Sequence, residues 1–386
     1  MTANNDLNVP FLSAAATASA IRAKQVSSVE AVQAYLERID KLDPTLKAYI
    51  TVCREEALAA AGRLDSDLAK GGTAGPLAGV PVAVKDQYQT AGILTTNGSK
   101  VYQDFVPTED ATVISRIKQA GGILLGKLNM SELAMGGTEK PPWGTPGNPW
   151  DLERTPGESS SGSGVALAAH LCAASMGEDT GGSGRGPASY CGVVGLRPTF
   201  TRITRHGMTP MCWFLDAAAP MTKTVEDCAL LLGTIAGYDP NDPYTSRRPV
   251  PDYTAHLGQG ISGLRVGLIR ELHETEDVHP EVKGAIEAAL EMFRSLGCQV
   301  REVSIPLITK AGAIFVGIAD TEGAGARDEI LRTRPEDLDR ASRTRLQSAA
   351  LGPAKVYNRA AKARVLLRRQ MMEALDQVDV LVSATA

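Results

Sequence analysis

The chain has 386 residues, of which 43% are hydrophobic and 22% charged, and its net charge is -4. That is ordinary globular composition with ample material for a buried core, and it carries no basic surplus for nucleic acid or an anionic membrane surface. The six cysteines show no C-x-x-C or metal-type spacing, so reduced, mostly buried thiols and a cytoplasmic setting are expected.

The opening stretch MTANNDLNVPFLSAAATASAIRAK has no charged segment followed by an apolar run, so no signal peptide is predicted. A helix follows over 27–44: Ser27 and Glu30 form a capping box, while Val32, Tyr35, Leu36 and Ile39 share one face. Pro44 is expected to end it. PLAGVPVAVKD (76–86) reads as a short apolar strand running into Lys85 and Asp86. DATVISRIKQAGG is an amphipathic helix closed by Gly121, and ILLGKL is the next strand. GVALAAHLCAASMG (164–177) is too short to span a bilayer and reads as a buried core helix.

Between about 130 and 220, glycine, serine and proline break the periodicity, and a loop-rich region inside an α/β chain is where a site is expected. GLRVGLI (263–269), the helix HPEVKGAIEAALEMFRSLG and the strand CQVREVSI resume the alternation. From about 320 the chain is basic and helical, which predicts a solvated cover. Alternating strands and helices predict a mostly parallel sheet covered on both faces. With no internal repeat and no long linker, a single domain over 1–386 is preferred.

Several motifs carry no chemistry. GGILLGKL comes within one residue of a phosphate loop, but Leu128 stands where a magnesium-binding hydroxyl is needed. Ser115 to Lys118 matches Ser-x-x-Lys, yet lies mid-helix without companion motifs. Arg185 breaks a Gly-x-Ser-x-Gly elbow around Ser183, and the five histidines are scattered singly, so no metal and no cofactor are implied.

Three stretches survive: VAVKD with Lys85, TPGESSSGSG with Ser159, Ser160 and Ser161, and EDTGGSGRGPA with Ser183. A serine nucleophile needs a base, and a lysine serves if desolvation or a nearby positive charge keeps it neutral. Six blocks occur in order: GVPVAVKDQYQTAGILTTNGS, GGILLGKLNMSELAMG, GTPGNPWD, PGESSSGSGVALAA, GEDTGGSGRGPASYCGVVGLRPT and PMTKTVEDCALLL. Together they resemble the amidase signature family, closely over residues 25–240 and more loosely beyond.

The resemblance implies an α/β fold, a single domain with a mixed central β-sheet covered by α-helices on both faces. The signature core would span about 60–240, after a helical part (1–60) and before a strand and helix remainder (241–386). It also implies a Ser–cis-Ser–Lys triad: Ser183 as nucleophile, Ser159 as the bridging cis-serine and Lys85 as base, with Ser160 supporting the network. In the family, backbone N–H groups at the positions of Thr180, Gly181, Gly182 and Ser183 face the developing oxyanion. Asp179 and Arg185 match polar supports of that loop, and Met135, Gly136 and Gly137 align with the border of the substrate cleft.

Glu158 and Ser161 replace two glycines of the family pattern, and Gly184 replaces a branched apolar residue, which predicts a looser space behind the nucleophile. Family members generally continue past VDVLVSATA through another strand and helices. The implied activity is that of an amidohydrolase acting through an acyl-enzyme on a small-molecule amide, ester or carbamate. PPW (141–143) and MCWF (211–214) tilt the expected substrate toward a hydrophobic or aryl amide. The alternatives are a glutaminase-type subunit of an amidotransferase complex and a catalytically silent binding protein. Neither nucleic acid nor membrane is expected as a partner. Family members are often dimers, which leaves a homodimer open.

Overall fold

The computed structural model describes residues 7–385, so the first six residues of the opening stretch lie outside the described residues. The predicted capping box forms: Ser27 accepts from the Glu30 N–H, and the Glu30 carboxylate accepts from the Ser27 N–H. The helix Ser28–Leu46 buries Val32, Tyr35, Leu36 and Ile39 as its periodicity requires. Pro44 does not end it but sits inside its last turn. Only one intrahelical donor is lost there. Asp43 closes the end instead, its carbonyl accepting from Lys47 N at 2.7 Å and its carboxylate from Ala48 N at 2.7 Å.

The described residues group into two compact units. One runs to Ala255 and takes up Ala326–Gln347; the other comprises His256–Gly325 and the chain from Ser348 onward. Both are assembled from discontinuous segments, so no linker marks the division in the sequence.

The first unit holds six strands: β1 (Tyr49–Val52), β2 (Pro81–Lys85), β3 (Ile123–Leu128), β4 (Ala174–Glu178), β5 (Val194–Gly195) and β6 (Ala218–Thr222). Their order is β1-β3-β2-β4-β6-β5. β2 pairs parallel with both β3 and β4, whereas β1–β3, β4–β6 and β5–β6 are antiparallel. The sheet is therefore mixed, as the family resemblance implies, and not mostly parallel as the alternation suggests. Only its centre obeys the alternation rule: helices Thr112–Gln119 and Ser161–Ala168 separate β2, β3 and β4, whereas β1, β5 and β6 join by antiparallel pairing. Every residue of β2, β3, β4 and β6 is buried. Consecutive side chains on a strand point to opposite faces, so unbroken burial means both faces are covered.

The stretch 164–177 is not one helix. Helix Ser161–Ala168 ends at Ala169, and β4 begins at Ala174. Gly162 lets the first turn of that helix press onto neighbouring main chain, since a Cβ there would lie 2.4 Å from Ala48 O and 2.5 Å from Asn129 O.

The second unit has a parallel three-stranded sheet, β8 (Gln299–Val303), β7 (Arg265–Ile269) and β9 (Val380–Val382), in the order β8-β7-β9. β7, β8 and the helix Pro280–Ser295 fall where expected, whereas β9 is a strand inside the stretch read as helical. The helices Arg340–Ala350 and Ala354–Leu375 are largely solvated, but Arg327, in the same basic stretch, is only 3% exposed. No helix of the described residues is long and apolar enough to cross a membrane.

These contacts predict opposite outcomes for two glycine substitutions. Gly162→Ala overpacks the turn and should destabilise the protein by about 1–3 kcal/mol. Gly233→Ala, in helix Val225–Ile235 with nothing within 4 Å of its added methyl, should stabilise by about 0.5–1 kcal/mol. Denaturant unfolding midpoints of the two variants check both signs.

Candidate active site

The centre of the site is built from the carboxyl ends of two adjacent parallel strands. β2 ends at Lys85 and β4 ends at Glu178, and neither side chain has any solvent exposure. The outlet of parallel strands is the place where an open α/β sheet offers side chains to a ligand. Lys85 Nζ lies 2.8 Å from Ser159 Oγ and 3.0 Å from Glu178 Oε2. Burial pulls the Lys85 pKa below that of a free lysine, against the Glu178 carboxylate, whose charge and hydrogen bond favour the ammonium.

The serine loop is stitched to both strands. The Glu158–Ser159 peptide is cis. Ser131 N, just past β3, donates to Ser159 O at 3.2 Å. Ser160 Oγ donates to Glu178 O at 3.1 Å and accepts from Glu178 N at 3.2 Å, so its hydroxyl replaces a missing strand partner at the end of β4. Ser160 N donates to Ser183 O at 3.2 Å, which brings Ser183 to the Lys85–Ser159 centre through its main chain. The Ser183 hydroxyl itself has no hydrogen-bond partner among the described residues.

The loop 179–185 winds around one carboxylate. Asp179 Oδ1 accepts from Gly182 N at 2.8 Å, and Oδ2 accepts from Gly184 N at 3.3 Å and Arg185 N at 3.2 Å. Arg185 Nε pairs with the same group at 2.9 Å and Arg197 Nη1 at 3.2 Å. Burial alone would raise the Asp179 pKa. Arg185, Arg197 and the Gly182 N–H more than offset it and hold the carboxyl below its usual range.

This corrects two expectations. The Gly182 N–H is already taken by Asp179, so it is not an open donor; the N–H groups of Thr180, Gly181 and Ser183 have no protein acceptor among the described residues. Gly184 does not loosen the space behind Ser183 either. A Cβ at 184 would lie 2.7 Å from Ala219 Cβ, so β6 fills that volume.

Met135, Gly136 and Gly137 lie beside the serine loop. Gly137 N donates to Glu158 Oε2, and a Cβ on Gly136 would be 3.1 Å from the same oxygen. Gly136 and Gly137 have φ of +75° and +72°, which accounts for two consecutive glycines. Met135 is buried, and its carbonyl accepts from Arg345. The segment MCWF, expected as an apolar wall, instead clamps a carboxylate: Met211 N and Cys212 N donate to Asp216 at 2.7 and 2.9 Å. Trp213 is 47% exposed and packs edge-on against Tyr244 beneath Arg205.

Sequence reasoning missed four charges here, of which Glu178, Asp216 and Arg327 are buried and Arg197 is partly buried. Glu178 has a local signal, an acid closing the otherwise uncharged strand ASMGE. Asp216, Arg197 and Arg327 have none, because their partners are distant in the chain. Arg327 Nη1 and Nη2 reach Met211 O and Leu133 O at 3.4 and 3.5 Å. Lys127, the lysine of the incomplete phosphate-loop motif, is buried against Asp86 at 3.2 Å and donates to Tyr88 O and Thr95 Oγ1.

The Asp179 clamp predicts a pH dependence. A carboxyl lowered in the folded state contributes stability that is complete above its unfolded value, near about 3.9, and is lost as pH falls through the folded value. Asp179→Asn should therefore be less stable at neutral pH, yet lose less stability than wild type on acidification below about pH 4. Parallel acid slopes in urea unfolding of the two proteins would contradict this role.

A family model described as Amidase matches residues 30–386. The chain is 42% identical over 388 residues to a glutamyl-tRNA(Gln) amidotransferase subunit of Geobacter sulfurreducens, covering 94% of this chain and 80% of that relative. Among solved structures, one comes from a vestigial protein complex said to reveal the evolutionary origins of an s-triazine catabolic enzyme. It is 34% identical with a TM-score of 0.91, over 97% of this chain and 82% of that one. The corresponding amidotransferase subunit from Thermotoga maritima is 33% identical with a TM-score of 0.82, over 97% and 79% of the two chains. The chain therefore belongs to the amidase signature family and is an amidohydrolase for carbon–nitrogen bonds other than peptide bonds.

Proposed function

We propose that the chain hydrolyses a small amide through an acyl-enzyme on Ser183, with Ser159 as the proton bridge and Lys85 as the base. The observation that carries this reading is the 2.8 Å contact between the buried Lys85 amine and Ser159 Oγ, on a loop hydrogen-bonded to Ser183. Ser183 Oγ attacks the carbonyl carbon while its proton passes to Ser159, whose own proton passes to neutral Lys85. Charge growing on the carbonyl oxygen is met by the N–H groups of Gly181 and Ser183, with Thr180 beside them. The relay then runs backward: Ser159 protonates the leaving nitrogen, and the C–N bond breaks. Water uses the same path to hydrolyse the acyl group.

The sequence tilt toward a hydrophobic or aryl amide, which with MCWF turned to Asp216 rests on PPW (141–143), is kept as the first substrate class, with esters and carbamates open to the same chemistry. A second reading, a glutaminase-type component of an amidotransferase, is favoured by the 42% identity to an amidotransferase subunit over 94% of the chain. Six buried cysteines, none in a disulfide, support a cytoplasmic setting for either.

Purified protein assayed against anilides, primary amides including glutamine, nitrophenyl esters and carbamates decides between them. Turnover of anilides without a partner supports the first reading; strict dependence on glutamine and a partner protein supports the other. Ser183→Ala, Ser159→Ala and Lys85→Ala should each lower kcat/KM by at least about 1,000-fold while folding normally. Turnover retained by Lys85→Ala across neutral pH would contradict its assignment as the base.

A further inference from the structure

Behind Lys85 lies a chain of polar groups that the relay itself does not use. Thr180 Oγ1 is 2.5 Å from Glu178 Oε1 and 2.7 Å from Asp216 Oδ1. A hydroxyl has one proton, so it can donate to only one of two carboxylates and must accept from the other. A carboxylate can donate only when protonated. Both acids are enclosed, with Glu178 0% and Asp216 1% exposed, so neither is satisfied by bulk water.

We propose that Glu178 and Asp216 hold one proton between them across the Thr180 hydroxyl, and that this shared proton keeps Lys85 available as an uncharged base. Glu178 is then a positioning residue for the base, and the proposal rests on the reading of Lys85 given above.

The surrounding charges fit a pair that keeps a single negative charge. Arg327, 3% exposed, acts electrostatically on both Asp216 and Glu178 and supplies one balancing positive charge. Asp179 also acts on Lys85, but it is already matched by Arg185 and Arg197. Tyr88 follows β2 and Cys212 precedes Asp216; Tyr88 donates its hydroxyl proton to Gly177 O at 2.7 Å. Tyr102 faces Arg327. With Arg327 positive and the acid pair carrying one negative charge, a neutral Lys85 leaves the buried cluster electrically balanced. Two ionised acids would instead demand the ammonium form. Burial, followed by the Glu178 charge, pushes the Asp216 pKa up to about 7, in the direction a shared proton requires.

Sharing also dilutes the negative charge that Lys85 feels, since part of it resides on the more remote Asp216. Glu178→Gln moves all of it to Asp216 and should release the Lys85 proton at lower pH. Asp216→Asn moves all of it to Glu178 and should do the reverse. The test is the pH dependence of fluorophosphonate labelling of the intact protein, with Ser183→Ala as control. The acid limb should fall by about one pH unit or more in Glu178→Gln and rise by a similar amount in Asp216→Asn. A purely structural role for the acids would not move the limb in opposite directions. Limbs that stay put, or both move the same way, would overturn the proposal.

Infrared difference spectroscopy gives a reading independent of labelling and, in wild type, of any variant's folding. Wild type should show the C=O stretch of a protonated carboxyl at neutral pH, and each single variant should lose it. Its absence from wild type would also overturn the proposal. Labelling that survives Ser183→Ala would instead sink the nucleophile assignment, leaving the infrared result to be judged separately.

Discussion

A lysine with no solvent exposure, at the end of a strand that is buried throughout, is the constraint around which this site is organised. An isolated ammonium there would cost several kcal/mol, so the amine needs partners or must lose its proton. The fold answers by placing β4 parallel and adjacent, so that the Glu178 carboxylate reaches Lys85 from the end of its strand, and by delivering Ser159 from a loop between β3 and β4. The two contacts of the base come from segments 74 and 93 residues away from Lys85 in the chain. Sheet topology, and not local sequence, brings them together.

A second layer of polar contacts makes that meeting rigid. Ser160 takes both main-chain groups of Glu178 and also binds Ser183 O, so one small residue joins the lysine side of the site to the nucleophile side. Asp179 then folds the 179–185 loop around its carboxylate and consumes the Gly182 N–H in doing so. Thr180, Gly181 and Ser183 are left as the loop's open donors. The loop's shape is therefore an electrostatic consequence of one buried acid held by two arginines, and the glycines permit that winding.

Much of this was legible before the structure. Lys85 stood out as a cation at the end of an apolar run, Ser183 as a serine among glycines, and the helix cap at Ser27 as a local pattern with a local cause. Pairings across the sheet were not legible. Asp216 and Arg327 act at the site only because loops return there, and nothing near them in the chain says so. The stretch 164–177 misled because a buried helix and a buried strand are equally apolar, and period cannot separate them in so short a run. Gly184 misled for a different reason: the space a side chain would need depends on Ala219, 35 residues on, which only the β4–β6 pairing brings close.

The claim on which the chemistry stands is that the acyl group is carried by Ser183. It is tested most directly by acid-quenching the protein during turnover of a nitrophenyl ester and mapping the adduct by peptide mass spectrometry. An acyl group confined to the Ser183 hydroxyl is the predicted result; a stable acyl adduct on Ser159, Lys85 or any cysteine, with Ser183 unmodified, would contradict it.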